Sequence, residues 1–209
     1  MMQSTTTIRS LKEKQRQERE ELILQAAEEV LAEKGYHETS MDEIAARVGI
    51  AKGTVYLHFP SKEDLVVALY EGNIQKMSQG VEAILSSELT ARAKLEQLLQ
   101  FIYGGFFSRK SERFYSIYHQ AELQRILADK KAHKLGVWEQ LSERISSLLD
   151  EGKATGEFDV TIPTPVMLST FLSLLSPRSY ERLITEGKMS SDELVKHLSR
   201  IYFKSIAAT

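Results

Sequence analysis

At 209 residues, with 42% hydrophobic and 27% charged residues, the chain has the composition of an ordinary globular protein. Its formal net charge of −2 means that any case for nucleic-acid binding must rest on a local patch. The absence of cysteine excludes disulfides and thiolate chemistry. No charge-free stretch reaches the roughly 18–20 residues that cross a bilayer. No apolar signal-peptide core stands near the N-terminus, and we expect a cytoplasmic protein.

The apolar spacing is helical along almost the whole chain. A first helix is expected over residues 11–34, ending at Gly35, since glycine adopts the left-handed conformation of a helix C-terminus at little cost. Ser40 is expected to cap a short second helix, with Glu43 completing a capping box. These signals predict a compact helical start to the chain.

Further helices and one main loop follow. The helices are expected at 61–85, 90–107, 111–127, 130–151, 164–186 and 191–206. The loop is expected at 152–159, where two glycines precede two prolines. No repeat and no convincing strand is found, so the sequence predicts an all-α fold of about nine helices.

Residues 41–59, MDEIAARVGIAKGTVYLHF, have the spacing of a helix-turn-helix. Ala45 is small enough to lie where the two helices cross. Gly49 can supply the positive φ of the turn, and Val55 can anchor the second helix inward. A helical hairpin in an ordinary bundle has the same spacing, so the spacing alone does not establish DNA binding.

The local charge favours DNA. No carboxylate occurs between Ile44 and Lys62, a segment that also holds Arg47 and Lys52. A second basic cluster, interrupted by only two glutamates, occupies residues 9–19. A polyanion would meet little repulsion from either stretch.

Residues 20–66 closely resemble the DNA-binding domain of the TetR family of bacterial regulators. The matching residues are Ile23, Ala26, Ala27, Gly35, Tyr36, Thr39, Ser40, Ile44, Ala45, Gly49, Lys52, Gly53, Thr54, Val55, Tyr56, His58, Phe59, Ser61, Lys62 and Glu63. The resemblance implies a ligand-responsive regulator, most often a repressor, that binds operator DNA as a homodimer. Its recognition helices would lie roughly 34–36 Å apart. Activation of transcription is the alternative to repression, since the direction of regulation depends on where the operator lies.

The resemblance also divides the chain into three regions. Residues 1–18 would be an N-terminal arm, which either contacts DNA or is a solvated helix end. Residues 19–66 would be a three-helix DNA-binding domain, with the helix-turn-helix at about 40–59. Residues 67–209 would be an α-helical domain for effector binding and dimerisation.

Individual DNA contacts are implied in the same way. The implied residues are Thr39, Ser40, Ala51, Lys52, Gly53, Thr54, Tyr56, Leu57, His58 and Lys62. Lys52, Tyr56, His58 and Lys62 would mostly hold the backbone, whereas Ala51, Gly53 and Thr54 would lie nearest the bases. Thr39 and Ser40 would lie by a phosphate at a helix N-terminus. For His58 the alternative is filling the space between helices; for Leu57 the alternatives are a thymine methyl contact and packing.

The C-terminal region gives weaker signals. An aromatic-rich stretch suits an apolar effector cavity, and the alternative is plain core. The candidate pocket residues are Phe101, Phe106, Phe107, Phe114, Tyr115, Tyr118, His119 and Trp138. Two apolar stripes suit a four-helix dimer interface, and the alternative is again plain core. These residues are Met167, Phe171, Leu174, Leu175, Leu194, Leu198, Ile201 and Tyr202.

Two alternative functions are an enzyme and a protein-interaction module. A helical-bundle enzyme would need clustered bases, nucleophiles or metal ligands, and the five histidines are scattered. His119 and Glu122 could share a helix face, but no third ligand has a convincing spacing. A non-DNA-binding interaction module would not need the exposed Lys52 and Tyr56. We therefore expect no catalysis, no metal and no cofactor.

Overall fold

A computed structural model of the chain describes residues 3–106, 121–130, 137–175, 180, 183, 186 and 189–208. Within these residues there are nine α-helices and one π-helical segment. The helices are α1 (Gln3–Glu38), α2 (Met41–Val48), α3 (Lys52–His58), α4 (Lys62–Leu85), α5 (Ala91–Gln100), α6 (Ala121–Asp129), α7 (Val137–Ala154), α8 (Thr164–Leu174) and α9 (Ser191–Ile206), and the π-helical segment is Phe101–Phe106. The β-type pairing in the described part is one isolated bridge, Phe158 to Ala207. The predicted all-α fold is confirmed.

The chain forms two compact units. The described part of the N-terminal unit is residues 3–74 with 121–130, and that of the C-terminal unit is 75–106 with 137–208. The sequence placed the whole of 67–209 in one domain, and this differs from the structure. Leu123 and Leu127 of α6 are buried in the core of the N-terminal unit, because they face inward one turn apart.

The core of the N-terminal unit comes from one face of each of its helices. Ile23, Val30 and Leu31 of α1 pack with Ile44 of α2, Val55 of α3 and Leu65 of α4, all almost fully buried. These apolar residues recur at helical spacing, and the opposite faces are charged. The short helices α2 and α3 are therefore held by tertiary packing rather than by their own length.

Helix ends in this unit follow local signals. Gly35 has φ 80°, and it interrupts the helical geometry of α1 as predicted. Ser40 accepts a hydrogen bond from the Glu43 amide at the start of α2. The predicted capping box is only half formed, because the Glu43 carboxylate pairs instead with Lys34 Nζ at 2.7 Å. A complete box forms at α9, between Ser190 and Glu193.

The C-terminal unit packs α5, α7, α8 and α9 around a second core. Two buried tyrosines tie it together: Tyr103 donates to the Leu174 carbonyl at 2.6 Å, and Tyr202 donates to the Met167 carbonyl at 2.9 Å. Gly152 is required beside Phe158, since a Cβ there would overlap the aromatic ring. Helix α8 ends at Leu174, earlier than the predicted helix 164–186.

The segment after α5 also departs from prediction. A helix was expected from 90 to 107, weakened at its two adjacent glycines, and Thr90 does cap its start by accepting from the Ala93 amide. At Phe101 the backbone widens from α to π, over a segment that contains two adjacent glycines. Glycine weakens an α-helix because it has the most backbone entropy to lose, and such a stretch is where a local rearrangement costs least.

Candidate nucleic-acid interface

Helices α2 and α3 form a helix-turn-helix. They are joined by the three-residue turn 49–51, in which Gly49 has φ 77° and its amide donates to the Ala45 carbonyl at 3.0 Å. Ala45 and Val55 are buried between the helices. The three positions chosen from the sequence thus have the geometry that the motif requires.

The outer face of α3 is built of exposed residues. Ala51, Lys52 and Gly53 at its start are exposed, as are Tyr56 and Leu57 further along. Leu57 is 81% exposed and Tyr56 is 41% exposed. Thr54 is half-buried. A leucine with so much free surface does not pack within its own unit, which removes one of the two sequence-based alternatives for it.

The cations beside this face are paired with carboxylates of other elements. Lys52 Nζ lies 2.6 Å from an Asp42 oxygen, and this hydrogen bond raises the pKa of Lys52. Arg47 donates two hydrogen bonds to Glu33, at 2.7 and 2.8 Å. A segment without acidic residues in sequence is therefore neutralised in space by acids from α1 and α2.

Lys62 has a structural position. Its ammonium donates to the carbonyls of Tyr36 and Thr39, at 2.8 and 3.0 Å, and lies 4.0 Å from the centre of the Tyr36 ring. The Tyr36 hydroxyl donates in turn to Glu63 at 2.9 Å. Lys62 thus neutralises the carbonyl end of α1. In the free protein the Lys62 ammonium is therefore bonded within the unit, and its contact with a DNA phosphate stays a prediction.

His58 also faces inward. Its side chain is 7% exposed, and Nδ1 lies 3.1 Å from a carboxylate oxygen of Glu20. Glu20 in turn accepts from Arg16 at 3.3 Å. Of the two sequence-based alternatives, the structure places His58 between helices, where it joins the end of α3 to α1. Its predicted phosphate contact is therefore corrected.

The two residues before α2 differ in accessibility. Ser40 is exposed at the helix N-terminus, where an anion would be favoured. Thr39 is buried, and its hydroxyl donates to the Gly35 carbonyl at 2.7 Å. A buried hydroxyl with this partner closes the turn between α1 and α2, and it leaves no side-chain surface for the predicted phosphate contact.

Sequence reasoning missed the contacts of α6 with the rest of its unit. Glu122 lies 2.6 Å from His37 Nε2, and Lys130 lies 2.8 Å from Asp64. The bond from Lys130, followed by that from Ser61, lowers the pKa of Asp64. No sequence signal could have found these pairs, because 85 and 66 residues separate their partners.

The predicted effector-pocket residues are mostly outside the described part of the chain. Phe107, Phe114, Tyr115, Tyr118 and His119 lie outside the described residues, as do the side chains of Phe106 and Trp138. Phe101 is half-buried and packs against the C-terminal core. The pocket assignment stays a prediction.

The predicted dimer stripes have a different position. Seven of the eight residues are buried within the protomer: Met167, Phe171, Leu174, Leu175, Leu194, Leu198 and Tyr202. Because these side chains are already covered, they have almost no surface left to bury against a second copy. They are core, and that part of the prediction is corrected; Ile201 is 68% exposed.

The described residues contain neither a candidate membrane-spanning helix nor a candidate metal site. No described helix is long and apolar enough to span a bilayer. No cluster of three or more His, Asp or Glu side chains among those residues has the geometry of a metal site.

Comparison with known proteins gives the family. Residues 23–69 match the family of bacterial regulatory proteins named for TetR. Over 73 residues the chain is 38% identical to the fatty acid metabolism regulator protein of Bacillus subtilis strain 168. That alignment covers 35% of this chain and only 38% of the relative.

Two solved structures match over most of the chain. A TetR/AcrR-family transcriptional regulator from Thermobifida fusca YX-ER1 is 26% identical, with a TM-score of 0.68 over 89% of this chain and 97% of that one. FadR of Bacillus subtilis in complex with stearoyl-CoA is 22% identical, with a TM-score of 0.63 over 88% and 95% of the two chains, and shows a shared fold. Residues 23–69, which contain the helix-turn-helix, thus belong to the TetR family of bacterial regulatory proteins, and the described chain shares the fold of a solved regulator of that family.

Proposed function

We propose that the protein is a transcriptional repressor that binds operator DNA through α3 as a homodimer. The observation that carries this proposal is the exposed Tyr56 and Leu57 on a helix that buried Val55 anchors. Tyr56 and Leu57 are adjacent, so they form one exposed apolar patch of the kind that marks interaction surfaces. A recognition helix needs such a surface, since it contacts base edges and methyl groups in the major groove.

The bonds that Lys62 and His58 make inside the unit change which residues would contact DNA. With Lys62 and His58 bonded inside the unit, the direct contacts fall to the start and outer face of α3, and to Ser40. Lys52 and Tyr56 would contact phosphate, while Leu57 would contact a thymine methyl. Ala51 and Gly53 have no bulk and would let the helix approach the bases closely.

The experiment is selection of operator sequences from a random duplex library with the full chain, followed by fluorescence anisotropy of the selected duplex. We expect an inverted repeat whose half-sites are about one helical turn apart. Tyr56→Ala should weaken binding about ten-fold while the thermal midpoint stays unchanged. Failure to enrich any sequence at physiological salt would remove the operator proposal.

A matched pair of variants tests Leu57. Leu57→Ala should relax the preference at one A·T position per half-site, because a methyl contact contributes only to that base. Leu22→Ala removes an equally exposed leucine from α1, outside the proposed interface, and should leave base preference unchanged. An identical operator profile for both variants would show that Leu57 does not contact a base.

We further propose an effector with a long apolar part. Support comes from two similar proteins: one is named as a regulator of fatty acid metabolism, and one was solved with stearoyl-CoA. The aromatic candidates at 101–118 suit such a chain. Operator release should be titrated with stearoyl-CoA, stearate and coenzyme A alone. Release by coenzyme A but by neither acyl compound would contradict an apolar effector.

The dimer contact is proposed for the outer faces of α8 and α9. Val166 is 54% exposed, and the exposed Ser169, Thr170 and Ser173 continue its face with small side chains. On α9, Ile201 is exposed among polar neighbours. Ile201→Glu should shift the protein toward monomer in light scattering, whereas Val160→Glu changes an equally exposed residue outside these helices. Equal dimer fractions would contradict the assignment.

A regulatory role is preferred to catalysis because the similar proteins that are named are regulators. Since its proposed partner is chromosomal DNA, we place the protein in the cytoplasm.

A further inference from the structure

A groove of about 860 Å³ lies between α5 and α9 in the C-terminal unit. Its charged lining consists of Arg92, Glu96, Asp192, Lys196, Arg200 and Lys204. Three cations and one carboxylate of α9 thus face Arg92 and Glu96 of α5 across a space of the size that small organic ligands occupy. The proposals above name none of these residues, although Arg200 and Lys204 adjoin Ile201 of the proposed dimer face on α9.

Three of these cations form a row along one helix. Lys196, Arg200 and Lys204 are four residues apart on α9, so they share one face about 6 Å apart, in a row about 12 Å long. No carboxylate in the described part of the chain lies within ion-pair distance of them. Arg92, across the groove, is bonded to Glu96 at 3.1 Å.

This row is not explained by the stability of its helix. Like charges four residues apart destabilise a helix, and the row contains two such pairs. The negative end of the helix dipole favours Lys204, which lies in the last turn, but its effect decays within that turn. Asp192 and Glu193 precede Lys196 by four and three residues and offset part of its repulsion, whereas Arg200 has no acidic residue at that spacing. Arg200 therefore costs stability in the free protein, and an anion in the groove would reverse that cost.

The floor of the groove is apolar. Val195 and Phe203 are buried beneath the cations, and the Arg92 guanidinium lies 5.2 Å from the centre of the Phe203 ring. A guanidinium beside an aromatic ring can offer its own flat face to a further aromatic group. This combination suits an anion that also carries a ring better than it suits an inorganic ion.

We propose that this groove binds a small organic polyphosphate, a molecule with several phosphate groups and a planar ring. Its phosphates would bind along Lys196, Arg200 and Lys204, and its ring would lie toward Arg92 and Phe203. A nucleic-acid backbone fits less well, because Glu96 and Asp192 in the same groove would repel a longer row of phosphates. The site is independent of DNA binding by α3.

The test is calorimetric titration of the full chain with ATP and, separately, with inorganic tripolyphosphate, both without divalent metal. We expect ATP to bind more tightly than tripolyphosphate, because only ATP carries a ring. Arg200→Gln and Lys196→Gln should each weaken ATP binding about ten-fold, since each removes a charge-assisted hydrogen bond. Lys94→Gln, which removes the same charge from α5 outside the groove, should leave the affinity unchanged.

Four outcomes would overturn the proposal. The first is no binding of ATP at low ionic strength. The second is equal weakening by Lys94→Gln and Arg200→Gln, which would indicate attraction to overall charge. The third is equal affinity for ATP and tripolyphosphate, which would show that the ring of ATP does not contribute to binding in the groove. The fourth is a change of oligomeric state in Arg200→Gln, which would make the groove a contact between copies. Unchanged thermal midpoints establish that both groove variants fold.

Discussion

The two basic regions of this protein differ in whether their cations are paired with other groups of the protein. Beside the helix-turn-helix, Arg47, Lys52 and Lys62 each have a close partner within the N-terminal unit. In the groove of the C-terminal unit, Arg200 has none among the described residues, and Lys196 has only the longer-range attraction of Glu193 on its own helix. Paired cations stabilise the fold, whereas unpaired ones cost stability and remain available for a ligand. A basic residue near a DNA-binding motif is therefore not by itself a DNA contact.

The comparison also changes which residues would give α3 its specificity. Because most nearby cations are bonded to the protein, the free surface of α3 is largely that of Tyr56, Leu57 and the small residues before them. Binding would then depend less on total charge than the acid-free sequence suggested. A chain with a net charge of −2 fits that view.

The largest effect is expected at Lys62. Lys62→Met should lower the free energy of unfolding by about 2 kcal/mol, because two carbonyls and an aromatic ring lose their cation. The measurement is urea denaturation followed by circular dichroism. Lys76→Met, on the exposed face of the same helix, is the matched control and should change stability little. A Lys62 variant as stable as the control but defective in operator binding would show that Lys62 acts mainly by contacting a DNA phosphate.

The next largest loss of stability is expected when the hydrogen bond between Tyr36 and Glu63 is removed. The pKa of the Glu63 carboxyl is lowered by its own backbone amide and then by the Tyr36 hydroxyl. Such a group adds stability above the unfolded pKa of about 4.3 and loses it as the pH falls through the lower folded pKa. Tyr36→Phe should therefore cost about 1.5 kcal/mol at pH 7 and clearly less near pH 3.

Tyr202→Phe is the control for that pH dependence. The Tyr202 hydroxyl donates to a neutral carbonyl, that of Met167, so its loss should cost the same at both pH values. Urea midpoints at the two pH values measure both variants. Parallel pH profiles for Tyr36→Phe and the parent would show that the hydroxyl does not act through the Glu63 charge.

A smaller effect is expected at Asp42. Asp42→Asn should release Lys52, which Asp42 now holds at 2.6 Å. Affinity for a random-sequence duplex should rise about three-fold at low salt, and the slope of log K against log salt should steepen by about one. Glu88→Gln removes an equal charge from the C-terminal unit and should change neither quantity. An unaltered slope in Asp42→Asn would mean that Lys52 does not contact phosphate.

These tests separate what the sequence could predict from what it could not. The positive φ at Gly35 and Gly49 and the cap at Ser40 were predicted correctly, because each signal lies within a few residues of its effect. A family resemblance extended that success to the helix-turn-helix. Local chemistry of this kind is visible in one window of sequence.

The roles of His58 and Lys62 were not predictable, since their partners lie 23 to 38 residues away on other helices. The dimer stripes failed for another reason: apolar periodicity marks a face that is buried, not what buries it. Phe171 and Leu198 therefore have the pattern expected of an interface but lie in the core. Ile201 is the one predicted stripe residue that is exposed, and with the exposed Val166 it is the better candidate for the proposed dimer contact.

The smallest effect has the opposite sign. Arg200→Gln removes both like-charge pairs of the row on α9, so it should raise the free energy of unfolding by about 0.5 kcal/mol at low salt. The gain should vanish as salt screens the row. Arg144→Gln is the control, because Arg144 donates to Glu82 at 3.0 Å and its loss should lower stability slightly. Urea midpoints at two salt concentrations distinguish the cases. A loss of stability in Arg200→Gln would mean that Arg200 has a partner in the free protein, and the contrast between paired and unpaired cations would then fail at its central residue.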